Sequence, residues 1–243
     1  MRTPATVPSV AIGLALLALI SFTLPPLEAE EPETKPAAAA PQVPDSPKRI
    51  WARDLLWTDA PKLEVGQWLT KEPELEGKYI LVEFWRTWCG ACRRMSPRMN
   101  EIHRRYGDDL VVIAITGEPV DKVKAALPEW KKEYFLAIDK PRSKAAQEKQ
   151  VAPTPTGGEE AADVGGPCAS PDDSTFRSEE QGAYEAQFGV WGWPHVVLLD
   201  PKYRAVIWQG FPGLKGHELT VEKVGRYIER GRQAEKEEEE EAP

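Results

Sequence analysis

The chain has 243 residues and a formal net charge of −8, with 31 Lys and Arg against 39 Asp and Glu. Binding to nucleic acid needs a basic surface, so this balance argues against a nucleic-acid partner. Three cysteines, of which two lie close together, do not make the dense and even pattern of a small disulfide-stapled secreted domain.

The N-terminal segment carries Arg2, an apolar stretch from Val10 to Leu24, and then two prolines. This stretch is shorter than the ~20 residues of a membrane-spanning helix and is typical of a signal peptide. We expect residues 1–29 to be a signal peptide or an N-terminal membrane anchor, and the only part that contacts a membrane. The protein is then extracytoplasmic, either periplasmic or secreted. Residues 30–47, rich in Pro and Ala, predict a semi-rigid linker.

Residues 48–232 alternate between strand and helix patterns, which predicts one layered α/β domain. After a short helical or irregular piece near Leu55 and a hairpin-like stretch near Val65, the predicted strands are 79–85, 110–115, 135–139, 196–199 and 205–208. Helices are predicted over 91–106, 120–134 and 220–230, with another ending near residue 188. Residues 140 to about 180 predict a long irregular insertion. The acidic residues 233–243 predict a disordered tail.

The motif Cys89-Gly90-Ala91-Cys92 lies between a predicted buried strand and a predicted helix. Unpaired N–H groups at a helix N-terminus favour an anion, so we expect a lowered pKa for the thiol of Cys89. Cys89 is then the attacking thiolate and Cys92 the resolving thiol. A permanent structural disulfide and half of a zinc site are the alternatives. The sequence has no second Cys-x-x-Cys pair, so no metal and no cofactor are expected.

The segment LVEFWRTWCGACRRMSP resembles the active-site region of the thioredoxin superfamily, in particular its TlpA-like and ResA-like branch. Trp88 matches the tryptophan before the first cysteine, and Pro97 matches the helix-kinking proline after the second. The sequence GWPHVVLLD resembles the segment that holds the family's cis-proline, here Pro194. The resemblance runs from about residue 60 to 228, apart from the insertion. It implies a thioredoxin-like fold: a central mixed sheet flanked by helices, with an N-terminal strand extension.

The resemblance also implies roles for individual residues. Glu83 matches a buried acid behind the cysteines; burial would raise its pKa and let it take the proton of Cys92 through a water. Pro194 has no N–H, and in cis it would leave a bare backbone edge beside Cys89, where the Trp193 backbone pairs with an extended substrate. Glu83 and Pro194 therefore join the two cysteines as predicted catalytic residues. The predicted substrate-binding residues are Trp88 and Trp193.

Other residues near the motif keep two interpretations. Arg93 and Arg94 either stabilise the thiolate or, as we favour, belong to a solvated helix face. His195 either hydrogen-bonds a partner or is an ordinary surface histidine, which is the favoured alternative. Ala91 stands where many relatives have proline, which alters the rigidity of the turn.

Three functions fit this pattern. The first is a thiol-disulfide oxidoreductase, a reductase or isomerase, that acts on cysteine-containing exported proteins. The resemblance implies that a membrane thiol protein supplies its electrons. The second is a peroxidase-like redoxin, which is disfavoured because Cys89 sits in a Cys-x-x-Cys turn. The third is a non-enzymatic copper-binding or delivery module that uses Cys89, Cys92 and a histidine.

The insertion and its cysteine, Cys168, are predicted to lie outside the catalytic cycle, because the segment supplies too little apolar surface to offset the entropy of ordering it. Deleting residues 151–174, or changing Cys168→Ser, is expected to leave disulfide reductase activity within a few-fold of the parent. Turnover assays of both variants check this. A severe loss from Cys168→Ser alone would instead indicate a three-cysteine relay.

Overall fold

The computed structural model describes residues 50–143, 181–215 and 218–241. Its centre is a six-stranded sheet built from the most continuously apolar stretches of the sequence. The strands are β1 (Val65–Trp68), β2 (Tyr79–Phe84), β3 (Leu110–Thr116), β4 (Phe135–Asp139), β5 (His195–Leu199) and β6 (Val206–Gly210). Every residue of β2, β3 and β5 is buried, as expected for strands covered on both faces.

The strand order is β1-β4-β3-β2-β5-β6, with β2, β3 and β4 parallel and the remaining pairs antiparallel. The predicted central mixed sheet is therefore confirmed, and β1 is the predicted N-terminal strand extension. It is the outermost strand of the sheet and pairs antiparallel with β4, so it is not part of a local hairpin. The C-terminal ends of β2 and β3 and the N-terminal end of β5 lie along the same edge of the sheet, the edge formed by the strand ends. This edge holds the residues of the site.

Within the described residues, four helices accompany the sheet: α1 (Gly90–Tyr106), α2 (Val120–Trp130), α3 (Ala183–Gln187) and α4 (Val221–Glu241). Helix α1 packs on β3 and against α4, while α3 contacts β4. The hydroxyl of Tyr79 on β2 donates to the backbone oxygen of Tyr227 on α4, which ties that helix to the sheet. The predicted helices flanking the sheet are thus confirmed.

Two helix ends differ from the prediction. Helix α2 stops at Trp130 because Lys131 adopts a left-handed conformation, with φ of 47°, so 131–134 is not helical. Helix α4 continues to Glu241, and the prediction of a disordered tail over 233–241 is wrong. Glu, Lys, Arg and Gln are good helix formers, and the helix is already started by its buried first turns. The ion pair of Lys202 with Glu238, at 2.5 Å, also holds the extension.

Several expectations fall outside the described residues: the signal peptide or anchor, the linker, and Cys168 with most of the insertion. Over 50–143, 181–215 and 218–241, no helix is both long and apolar enough to cross a bilayer.

The two ends of the insertion are held together at Asp139, the last residue of β4. Its carboxylate accepts hydrogen bonds from the backbone N–H groups of Tyr184 at 3.0 Å and Glu185 at 2.8 Å, which fixes the start of α3. Gly182 approaches so closely that a Cβ there would overlap the Asp139 side chain. Burial raises the pKa of Asp139 from 3.8 to about 6, although the backbone donors oppose this change. Asp139 thus fixes where α3 begins.

We predict that Asp139 makes the fold less stable as pH rises through weakly acidic values. The unfolded carboxyl titrates near ~3.9 and the folded one at about 6, so the native state binds more protons in between. The unfolding free energy should fall by roughly 3 kcal/mol across this window. Denaturant titrations at pH 4 to 7 on the parent and Asp139→Asn measure the difference. Parallel pH dependences for the two proteins would contradict the assignment.

Candidate active site

The cysteine pair lies at the N-terminus of α1. Cys89 is the N-cap residue, in an extended conformation, and its Sγ accepts a hydrogen bond of 3.0 Å from the N–H of Cys92. The two sulfurs are 2.06 Å apart in a disulfide, with their Cα atoms 5.3 Å apart. The helix starts at Gly90, slightly before the predicted start. Cys89 therefore lies where the unpaired N–H groups of the helix point.

Solvent does not reach either cysteine: the exposed fraction of each is 0%. Trp88 is the large aromatic exposed next to the pair, at 40%. A partner sulfur can reach Cys89 only if the residues around the disulfide move.

Glu83 is the only charged residue on β2, and it is fully buried as predicted. Its Oε2 accepts hydrogen bonds from Lys132 Nζ at 2.7 Å and from the Tyr134 hydroxyl at 2.6 Å. Its Oε1 is buried and has no hydrogen-bond partner among the described residues. Because a buried carboxylate needs compensation, the ion pair with Lys132 accounts for one oxygen and leaves the other as an acceptor.

Lys132 was not predicted from the sequence, yet its side chain is fully buried. The Nζ atom lies 4.8 Å from the ring centres of Trp85 and Tyr134 and 5.3 Å from that of Trp130, so three aromatic rings surround the ammonium. Burial lowers the pKa of Lys132, while Glu83 opposes this change. Burial, followed by the Glu83 charge, raises the pKa of Tyr134 well above its usual value. Both effects mark a dry and tightly coupled cluster.

The peptide bond between Trp193 and Pro194 is cis, as predicted. Because His195 pairs with Phe84 across β2 and β5, Pro194 lies at the sheet edge from which the cysteine loop leaves. The Trp193 side chain, which was predicted to bind substrate, is buried, with an exposed fraction of only 2%. Its ring packs edge-on against Trp88, with ring centres 5.6 Å apart. Trp88 is thus the exposed ring of the pair, and Trp193 lies beneath it.

Two buried acids that the sequence did not predict hold the segment before Cys89. Glu118 accepts hydrogen bonds from the Thr87 backbone N–H at 2.6 Å and from its hydroxyl at 2.8 Å. Glu185 on α3 accepts from Arg86 Nη2 at 2.6 Å and from the Trp193 indole N–H at 2.5 Å. The only sequence signal for them was their position, at the C-terminal end of β3 for Glu118 and beside the cis-proline segment for Glu185.

The structure shows the surroundings of three residues for which the sequence allowed two interpretations: His195, Arg93 and Arg94. His195 is buried and stacks on Phe84, so the expectation of a surface histidine is wrong; burial lowers its pKa to about 3. Arg93 pairs with Glu129 on the surface at 3.1 Å, in agreement with a solvated helix face. Arg94 is exposed, and its Nη1 would lie 3.7 Å from a Cβ at position 90. The described part of the chain holds no group of three or more His, Cys, Asp or Glu side chains arranged to bind a metal.

Comparisons with known proteins agree with this arrangement. The thioredoxin family model matches residues 69–129, which contain both cysteines. The chain is 32% identical over 71 residues to the thioredoxin-like protein YneN of Bacillus subtilis, covering 28% of this chain and 42% of YneN. It is 28% identical over 99 residues to the thiol-disulfide oxidoreductase ResA of Oceanobacillus iheyensis, covering 38% of this chain and 49% of that protein.

Among solved structures, the chain is similar to the thioredoxin domain of a thiol-disulfide oxidoreductase from Bacteroides vulgatus, with 18% identity and a TM-score of 0.48, covering 72% of this chain and 99% of that one. The curated relatives above are matched over about half of their length. The family match, the strand order and the cysteine motif agree with one another. Residues 69–129 therefore match the thioredoxin family model, and part of the chain is similar to ResA proteins.

Proposed function

We propose that the protein is a thiol-disulfide oxidoreductase that reduces or isomerises disulfides of exported proteins through Cys89 and Cys92. The observation that carries the proposal is the disulfide between these cysteines at the N-terminus of α1, beside a cis-proline loop. The matched ResA proteins, which are named thiol-disulfide oxidoreductases, support the same chemistry.

In the reductive direction, the Cys89 thiolate attacks one sulfur of the partner disulfide. A Cys89–partner bond forms, the partner S–S bond breaks, and the other partner sulfur leaves as a thiolate. Cys92 then loses its proton and attacks Cys89 Sγ. The Cys89–Cys92 disulfide forms, the mixed disulfide breaks, and the second partner thiolate leaves and takes a proton. The partner gains two electrons, and a dithiol donor must restore the pair.

Glu83 is the proposed acceptor of the Cys92 proton. Its Oε1 is buried and has no hydrogen-bond partner in the described structure, while Oε2 is held by Lys132 and Tyr134. The proton would pass through a water to the oxygen that these two residues leave available. Lys132 would hold the carboxylate in place and compensate its charge.

The proposed setting is extracytoplasmic, with exported proteins as substrates and a membrane thiol protein as electron donor. The apolar stretch near the N-terminus, from Val10 to Leu24, supports export of the domain. In such a compartment, disulfides form and persist and therefore need enzymes that reduce or reshuffle them.

Replacing each of the two cysteines should affect disulfide turnover in a different way. Cys89→Ser removes the attacking sulfur and is expected to abolish turnover of insulin disulfides with dithiothreitol. Cys92→Ser removes the resolving sulfur and should accumulate a mixed disulfide between Cys89 and the substrate, detected by mass spectrometry. If both variants turn over like the parent, the pair is structural.

The same purified protein separates the alternative functions. Rapid reduction of hydrogen peroxide together with slow reduction of insulin would favour the peroxidase-like redoxin. Tight stoichiometric binding of Cu(I) by the reduced protein, without disulfide turnover, would favour the copper module.

The Glu83–Lys132 pair should behave as a coupled buried pair. Lys132→Met leaves the Glu83 charge buried without its cation, so the unfolding free energy at pH 7 should fall by ~3–5 kcal/mol. The double variant Glu83→Leu/Lys132→Met removes both charges and should recover most of this loss, but it should resolve mixed disulfides slowly because the proton acceptor is gone. Denaturant titration and single-turnover kinetics measure the two effects. A Lys132→Met protein as stable as the parent would contradict the buried pair.

A further inference from the structure

The segment before Cys89 and the cis-proline loop meet at the ring of Trp193, which is held on three sides. The Arg86 guanidinium lies over one face, 4.4 Å from the ring centre. Trp88, the exposed aromatic next to the cysteine pair, packs against it edge-on with the ring planes at 79°. The indole N–H donates a 2.5 Å hydrogen bond to Glu185 Oε1.

The Glu185 carboxylate accepts hydrogen bonds from both loops. Its Oε2 accepts from Arg86, which belongs to the segment leading to Cys89, and its Oε1 accepts from Trp193, which precedes the cis-proline. The carboxylate and the guanidinium are almost wholly buried. A charged pair out of water stays in one geometry, because each lost contact leaves a costly unpaired group.

The backbone of Glu185 is fixed independently. Helix α3 is anchored through the Asp139 carboxylate, which accepts from the Tyr184 and Glu185 N–H groups. The Glu185 carboxylate therefore projects from a fixed point and reaches across to the two loops. Its side chain accepts hydrogen bonds from Arg86 and from Trp193.

We propose that Glu185 is a positioning residue for polypeptide substrates. Together with Arg86 it fixes the ring of Trp193, and Trp193 in turn sets the orientation of Trp88 and of the edge of the cis-proline loop. This inference rests on the proposed oxidoreductase function. An extended polypeptide pairs with a strand-like edge over several residues, so its binding depends on how the two loops are set relative to each other. A small disulfide must also reach the Sγ of Cys89, but it makes no pairing along the cis-proline edge. Loss of the Glu185 contact should thus weaken binding of polypeptides while the chemistry at sulfur is kept.

The test compares two disulfides, insulin and 5,5′-dithiobis(2-nitrobenzoic acid), in four proteins: the parent, Glu185→Gln, Trp193→Phe and the double variant. Glutamine offers one acceptor oxygen to two donors, and phenylalanine keeps the ring but lacks the N–H. Each single variant should raise the KM for insulin about 10-fold, and Glu185→Gln should leave kcat and the rate with the small disulfide near the parent values. The double variant should lose no more than Glu185→Gln alone, because both substitutions act on the one contact between residue 185 and the ring at position 193.

A matched control is Tyr184→Phe on the same helix, since the buried Tyr184 hydroxyl has no hydrogen-bond partner among the described residues. It should behave like the parent with both disulfides. If Glu185→Gln does not fold, Trp193→Phe decides, because it leaves the pair of Arg86 and Glu185 intact.

Several outcomes overturn the inference. A parent-like insulin KM in both single variants would show that the contact does not position the loops. Equal losses with both disulfides would assign Glu185 to the chemistry or to general folding, and insulin losses that multiply in the double variant would show two independent effects. A parent protein that reduces neither disulfide would instead refute the proposed oxidoreductase function itself.

Discussion

Buried charge is the constraint on which the cysteine site depends. Glu83, Glu118 and Glu185 are fully buried, as are Arg86 and the side chain of Lys132. An isolated ion in such surroundings would cost several kcal/mol, so each must be met by an opposite charge or by hydrogen bonds. The pairings that satisfy these groups also fix the geometry of the loops around the disulfide.

The pairings divide into two sets with different consequences. The pair of Glu83 and Lys132 is surrounded by aromatic rings and leaves one carboxylate oxygen as an acceptor. The pair of Arg86 and Glu185 connects the segment before Cys89 with the cis-proline segment, with Trp193 as their common contact. In the proposed mechanism, the first set manages the proton of the resolving cysteine, and the second shapes the surface that a partner meets.

The sequence predicted the central sheet and the position of the cysteine pair well, because both depend on local signals. Continuous apolar runs predict buried strands, and Phe135–Asp139 agrees with the structure residue for residue. The cis-proline followed from resemblance to a family motif. Helix ends were less predictable: a left-handed Lys131 ends α2, and no sequence pattern distinguishes a solvated acidic helix from a disordered acidic tail.

The partners of the buried charges could not be predicted, since they come together only in the folded chain. Lys132 falls within the predicted helix 120–134, where nothing marks it as buried, and only the folded chain brings its Nζ within 2.7 Å of Glu83. Glu185 lies 99 residues from Arg86. The burial of His195 and Trp193 likewise depends on packing across the sheet edge.

If Cys89 and Cys92 form a working redox couple, the reduction potential of the pair will show it. Equilibration of the protein with defined thiol–disulfide buffers, followed by thiol counting, gives this potential. We expect one reversible two-electron couple between about −270 and −120 mV, the range of catalytic dithiols. A potential below about −300 mV, typical of permanent structural disulfides, would contradict it.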